Sequence, residues 1–355
     1  MALTLADYER LIKWGSCSWN YPVGWQGVVY HDHKSETDLP LFRSPAVTPH
    51  GLAGTAVIKQ KKIGGTYRAD LLAQYCAFKP FATLCFDMTH YRLFTAGELA
   101  EFARYLTPNF PVVIKVWQGL TKIGHWHKAG TATYERQRNE NFLNARVFAD
   151  QFLSPYRRAF AGHAAMFLFE FMRLGYYDTA RQRWSNPDPR RFNRALQQFF
   201  AAVPKDFRYA VELRDRNLVN AEYAQVLRQH GVAHCFNQWE SMRLLREQFA
   251  LVGFTAPFAA VRVLTPPRVK YAAVQKAYAP YDRIHRRLPE MRADMELLIE
   301  HALQHSVDLS LLINNRAEGN APATVQELDA ALRRKLAAPA KTPAPDRIPA
   351  LATNI

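Results

Sequence analysis

Eight short apolar runs, separated by amphipathic segments, limit the folds open to this chain more than any other feature. They are Trp14–Trp19, Thr83–Thr89, Pro111–Trp117, Ala164–Phe171, Arg208–Arg214, Val232–Gln238, Phe258–Leu264 and Asp308–Asn315. Each has strand length and is rich in β-branched or aromatic residues. Most are apolar almost continuously, the pattern of strands covered on both faces. Helical periodicity marks the segments between them: Arg68–Lys79, Ala96–Leu106, Asn141–Phe152, Arg191–Ala202, Ala221–His230, Pro289–His305 and Thr324–Leu336. Thr95 and Asn220 stand where N-caps belong, and Gly231 where a C-cap belongs. Strands alternating with helices predict a TIM (β/α)8 barrel, read as one domain over residues 1–336. A doubly wound parallel sheet is the alternative, but no GxGxxG or phosphate-cradling glycine loop follows any run.

The span is long for such a barrel, and the excess lies in two places. One is an insertion at about residues 31–67, rich in Gly and Pro and carrying Lys59, Lys61 and Lys62. The other is Gln118–Arg138. These predict enlarged loops after strands 1 and 3, on the side where a barrel of this type builds its site. The Pro/Ala-rich tail, residues 337–355, is expected to be disordered.

Composition narrows the function classes. Charged residues make up 22% and hydrophobic ones 48%, so the chain as a whole is not disordered. Lys and Arg number 46 against 31 Asp and Glu, a net charge of +15. That excess points to an anionic partner, either a small molecule or nucleic acid. Cys17, Cys76, Cys85 and Cys235 form no CxxC pair, which argues against a disulfide scaffold and a thiolate zinc site. His125 and His127 alternate in a loop with no acid beside them, a weak metal signal. With neither a signal-like start nor a spanning apolar stretch, the expected location is the cytoplasm, without a membrane partner. Nothing in the sequence specifies an oligomeric state.

Charged and amide side chains recur near the C-terminal ends of the apolar runs: Asp87, Lys115, Glu170, Glu212, Arg214, Asn237, Arg262, Asn314 and Asn315. Side chains two apart on a strand share a face, so Glu212 and Arg214 point the same way. A lone buried charge costs several kcal/mol, on the order of the effective desolvation penalty, so these groups must meet each other or a ligand. In a barrel they converge on one mouth. Three carboxylates and three cations are thus expected around one cavity, either as an internal salt-bridge network or as a site. Aromatic residues follow the same runs: Trp19, Tyr21 and Trp25, then Tyr91, then Trp117 and Trp126, and later Tyr271, Tyr278 and Tyr281. Seven basic residues lie between Arg268 and Arg292.

The order of motifs resembles the YecE-like family, domain of unknown function 72. Gly15-Ser16-Cys17-Ser18-Trp19-Asn20-Tyr21, then Trp25 and Gly27, stand where that family opens with Gly-Thr-Ser-Gly-Trp-x-Tyr and W-x-G. Cys85–Arg92 is similar to its second strand, and Lys115 with Thr121 to its third. Glu212-Leu213-Arg214 keeps its Glu-x-Arg, Arg262 its seventh-strand Arg, and Asn314-Asn315 with Gly319 and Ala321 its eighth. The sequence departs from the pattern at Arg262–Thr265, which lacks the family's His-Gly. It departs again at Phe169–Arg173, where Glu170 replaces an amide, and in the expanded first loop. The resemblance implies a TIM barrel in a divergent branch. It implies no reaction, since the family has no established activity.

Two functional readings follow. In the first, the chain is an enzyme for a phosphate- or carboxylate-bearing substrate, nucleic acid among the candidates, using general acid/base chemistry. Lys115, Arg214 and Arg262 hold the anion, with Lys115 and Arg262 the main clamp because neither has a carboxylate two residues away on its own strand. Glu212 or Asp87 is the base, and Glu170 the acid if burial raises its pKa. Asn314 and Asn315 orient the substrate, and Trp19, Tyr21 and Tyr91 form an apolar wall. No cofactor or metal is required. In the second reading, a non-catalytic protein binds nucleic acid through basic loops and stacking aromatics.

Overall fold

The computed structural model describes residues 3–31, 68–129, 133–172, 174–175, 177–178 and 183–338. Eight parallel strands close into a barrel. In chain order they are β1 (Ile12–Ser16), β2 (Thr83–Phe86), β3 (Val112–Lys115) and β4 (Ala164–Phe171). Then come β5 (Tyr209–Leu213), β6 (Ala233–Gln238), β7 (Phe258–Val263) and β8 (Asp308–Ile313). Each pairs with its neighbours in sequence, and β1 closes the ring against β8. All eight apolar runs are therefore strands of one TIM barrel.

Strand alternation divides the core into two shells. Inside the barrel lie mostly modest side chains: Cys85, Val113, Met166, Leu168, Ala210, Cys235, Ala260 and Leu312. The alternate residues, among them Ile114, Phe167, Phe169, Val211, Val261 and Leu311, pack outward under the helices. The outer shell is strongly aromatic; Phe148 alone meets Phe152, Phe167, Phe169, Phe199 and Tyr209.

Helix ends follow the local chemistry. Thr95 accepts from the Glu98 N–H while the Glu98 carboxylate takes the Thr95 N–H, a complete capping box for helix Ala96–Ala103. Asn220 caps Ala221–His230, and Gly231 ends it in the left-handed region at φ 62°. Pro189–Ala202, Pro289–Gln304 and Ala321–Ala337 complete the longer helices. Among the described residues, the α-helices outside the periodic segments read from the sequence are all short: Leu5–Leu11, Gln118–Thr121, Ser154–Ala159, Leu245–Val252, Tyr271–Tyr278 and Asn315–Glu318. Each is eight residues or fewer, too short to display much period. The Gln118–Arg138 loop contains an antiparallel hairpin, Gly124–Ala129 with Thr133–Arg138, and His125, Trp126 and His127 are in its first strand. The insertion lysines Lys59, Lys61 and Lys62, Arg173, and the tail past Ala338 lie outside the described residues.

Gly15 is required by close approach. A Cβ built there would lie 2.0 Å from the Thr83 carbonyl oxygen on β2. Gly15→Ala is thus expected to force β1 and β2 apart and destabilise the barrel by about 1–3 kcal/mol, the range of overpacking. Thermal unfolding measures it, and an unchanged midpoint would contradict so tight a strand contact.

Candidate functional site at the barrel mouth

The inward positions change from apolar to charged at the C-terminal end of the barrel. Cys85 is followed by Asp87, Val113 by Lys115, Leu168 by Glu170, Ala210 by Glu212 and Arg214, and Ala260 by Arg262. Register sets Glu170 beside Glu212 and Asn237 beside Arg262. Asp87 is not on a strand. It opens a 3-10 turn, Asp87–His90, immediately after β2. The Thr89 hydroxyl pins that turn by donating to the Phe86 and Lys115 carbonyls at 2.7 and 2.6 Å.

The six charges meet each other. Lys115 Nζ lies 2.7 Å from Glu170 Oε2 and 3.8 Å from Asp87 Oδ1. Arg214 Nη2 reaches the same Glu170 oxygen at 2.5 Å, and its Nε donates to Glu212 Oε1 at 3.0 Å. Arg262 joins the ring's two sides: Nη1 donates to Glu212, and Nη2 to Asp87 Oδ1 at 2.7 Å. The expectation that Lys115 and Arg262 are uncommitted is therefore wrong. Their carboxylates come from adjacent or facing strands rather than their own, and barrel closure supplies them.

Burial separates one member from the rest. The side chains of Lys115, Glu170, Glu212, Arg214 and Arg262 are 0–8% exposed, whereas Asp87 is 30% exposed. Protonation follows from the neighbours. Burial alone would raise Glu170, but Arg214 and Lys115, helped by His90 and Arg262, hold its carboxyl well below the usual range. The expected proton donor is thus an ionised carboxylate. Asp87 is also lowered, since Arg262 and Lys115 outweigh its desolvation. Lys115 is raised: desolvation opposes its charge, but Glu170 and Asp87 secure it. His90 is pushed down to about 3 by burial and by Lys115. Its Nδ1 lies 3.0 Å from the Val116 carbonyl, a donor's position, leaving Nε2 3.9 Å from Glu170 Oε1.

The other expected site residues divide between mouth and scaffold. Tyr91 is exposed and feels Lys115, Asp87 and Glu170. Tyr21 packs on Trp25 and edge-on against Tyr281 at the same end. Trp19 does not line the mouth: it packs on Phe86 and Phe102 under the helices, and its indole N–H donates to the Arg68 carbonyl at 2.7 Å. Asn315 is buried scaffold, its Oδ1 accepting from Trp25 Nε1 and the Ala321 N–H. Asn314 caps the short helix Asn315–Glu318. Trp239 and Arg316 had no place in the expected site, and Tyr271 stood only among the aromatics that follow the strand runs. Arg214 stacks on Trp239 at 4.1 Å and Arg316 on Tyr271 at 4.3 Å, while the two aromatic rings are 6.1 Å apart. Arg316 directly follows the Asn-Asn pair, the one signal that could have marked it.

Cys17 is a packed thiol, pushed up to about 11 by burial. Among the described residues no group of three or more His, Cys, Asp or Glu is arranged to hold a metal ion. No helix among them is long and apolar enough to cross a membrane. A separate cavity of about 370 Å³ opens at the opposite, N-terminal end, between Lys13, Arg208, Asp308 and Ser310.

The class defined by this architecture is a parallel (β/α)8-barrel protein with a charge network at its C-terminal mouth, buried except at Asp87. The chain belongs to the DUF72 family: the model described as "Protein of unknown function DUF72" matches residues 54–348. A crystal structure of a DUF72 family protein from Enterococcus faecalis V583 is similar, with 14% identity over 91% of this chain and 95% of that one, at a TM-score of 0.55. Another, from Thermotoga maritima MSB8, has 15% identity over 91% and 99%, at a TM-score of 0.54. At such identities the likeness concerns the fold. No curated protein matches the chain.

Proposed function

We propose that this protein is an enzyme acting at the C-terminal mouth of its barrel on an anionic, phosphate- or carboxylate-bearing substrate, with Asp87 as the carboxylate that meets the reacting group. The observation that carries this reading is the exposure of Asp87 alone among the six networked charges. Glu170 and Glu212 position the cations; they do not touch the substrate. Arg262 and Lys115 fix Asp87 in its ionised form, so it accepts a proton or hydrogen bond from a substrate hydroxyl or amine. Lys115 remains a cation 3.8 Å from Asp87, placed to stabilise negative charge developing beside it. In this reading Lys115 and Arg262 are not the anion clamp, because carboxylates already occupy them.

The test is a turnover screen of phosphorylated sugars, sugar acids and nucleotides, followed by product mass. Asp87→Asn is expected to lower any turnover by about a hundredfold or more. Full activity in that variant would refute the role. A second reading, sequence-independent nucleic-acid binding, draws on exposed Arg268, Lys270, Lys276 and Arg286 beside the mouth. Its weight is reduced because Arg287 and Arg292, in the same run, are tied to Glu327 and Glu318. Salt-dependent oligonucleotide binding without turnover, and insensitive to Asp87→Asn, would favour it.

A further inference from the structure

Arg214, Lys115 and Arg262 are each bound to carboxylates, whereas Arg316 has no carboxylate partner among the described residues. Its place is fixed nonetheless. The backbone N–H of Arg316 donates to Asn314 Oδ1 at 3.0 Å, and Asn314 itself is anchored at the end of β8 by donating its N–H to the Val263 carbonyl. The guanidinium lies over the Tyr271 ring at 4.3 Å, with Tyr21 and Tyr281 also beside it. A planar cation on an aromatic face keeps its N–H edge free for an anion. The Tyr281 hydroxyl is a second feature of the same spot. Tyr281 is only 9% exposed, and its Oη, though close to the Arg316 side chain, is buried with no well-formed hydrogen bond among the described residues. A buried hydroxyl left unpaired is costly, and this one lies beside the Arg316 side chain.

We infer that Arg316, with the Tyr281 hydroxyl, forms the subsite that takes the substrate's anionic group, and that Tyr271 and Tyr21 flank it. The inference rests on the proposed site at the mouth and adds to it the residue that binds the charge. A phosphate monoester and a carboxylate both suit a guanidinium with an adjacent hydroxyl donor, so the shared chemistry is an oxyanion. The flanking rings favour a substrate whose anion is carried close to a flat or apolar body.

The probes are phenyl phosphate, benzoate and neutral benzyl alcohol, followed by the quenching of tryptophan fluorescence, since Trp239 adjoins Tyr271. The parent protein is expected to bind at least one anion saturably in the millimolar range and to bind benzyl alcohol more weakly. Arg316→Ala should weaken anion binding about ten- to a hundredfold while leaving benzyl alcohol unchanged. Arg316→Lys should restore part of the loss, and Tyr281→Phe should weaken the anion severalfold. The two anions distinguish a phosphate site from a carboxylate site. An Arg316→Ala variant that is folded by circular dichroism and binds anions as the parent does overturns the inference, as does a parent that binds neither anion. Asp87→Asn separates this from the proposed function: it should keep anion binding and lose turnover. If Arg316→Ala has no effect while Asp87→Asn abolishes turnover, the subsite is wrong and the catalytic reading stands. If anion binding depends on Arg316 but Asp87→Asn turns over normally, the reverse holds.

Discussion

Arg262→Met is expected to lower the free energy of unfolding by about 3–5 kcal/mol, the cost of breaking a buried ion pair from one side. Arg262 is 1% exposed and donates to Glu212 and Asp87, with Glu170 at 3.5 Å. Removing it leaves Glu212, fully buried, with Arg214 alone, and leaves the network with a net negative charge. Methionine fills most of the volume, so the loss reports charge rather than a cavity. Denaturant unfolding at neutral pH measures it as a lower midpoint with an unchanged slope. The double variant Arg262→Met, Glu212→Gln removes the stranded charge together with its partner and should regain part of the loss. If the single variant is as stable as the parent, the network does not hold the barrel mouth together. If the double variant is no better than the single, the damage comes from packing and not from an unpaired carboxylate.

Acid is expected to destabilise the fold well above the pH at which ordinary carboxylates titrate. His90 is buried and pushed down to about 3, first by desolvation and then by Lys115. His234 is 1% exposed, packs against Phe236, has Nδ1 3.1 Å from the Tyr223 hydroxyl, and is lowered to about 4 by burial. Both groups start from an ordinary value of 6.5. Between that pH and their folded values, the unfolded chain binds two protons that the folded chain refuses. Stability therefore falls as pH falls through this window. The total is on the order of several kcal/mol, since each pH step of one across which a proton is refused costs about 1.4 kcal/mol. Asp87 and Glu170 act in the same direction at lower pH, because their folded pKa values are depressed and their stabilising contribution disappears as they protonate. Urea midpoints at neutral pH and at about pH 4.5 should differ strongly in the parent, because that range lies inside the window. They should differ less in His234→Gln, whatever that variant's absolute stability. A parent midpoint flat across this range would show that neither imidazole is excluded from protonation.

The strands were legible because they are buried on both faces, and burial leaves a compositional mark on nearly every residue. Runs such as Ala164–Phe171 and Phe258–Val263 have no polar interruption until their C-terminal ends. The caps were legible too, since Thr95, Asn220 and Gly231 act on backbone groups one to three residues away. Helix Leu245–Val252 was not, because its neighbours in space determine it: Gln248 bonds both the N–H and the carbonyl of Asn237 on β6.

The barrel, its polarity, and the convergence of Asp87, Lys115, Glu170, Glu212, Arg214 and Arg262 on one end can be read from the chain alone, because a period of two and the burial of alternate residues are local properties. The sequence did not determine which of those charges are paired. Lys115 and Arg262 stood alone on their own strands and lost that freedom to Glu170, Glu212 and Asp87 across the barrel. Trp19 and Asn315 occupied motif positions, and only the tertiary structure turned them into scaffold under the helices. Arg316 is the reverse case: a residue marked only by its place after Asn314-Asn315, which the end of β8 sets against Tyr271. Charge pairing is decided by distances of a few ångströms between atoms far apart in sequence, and only strand register, barrel closure and loop geometry set those distances.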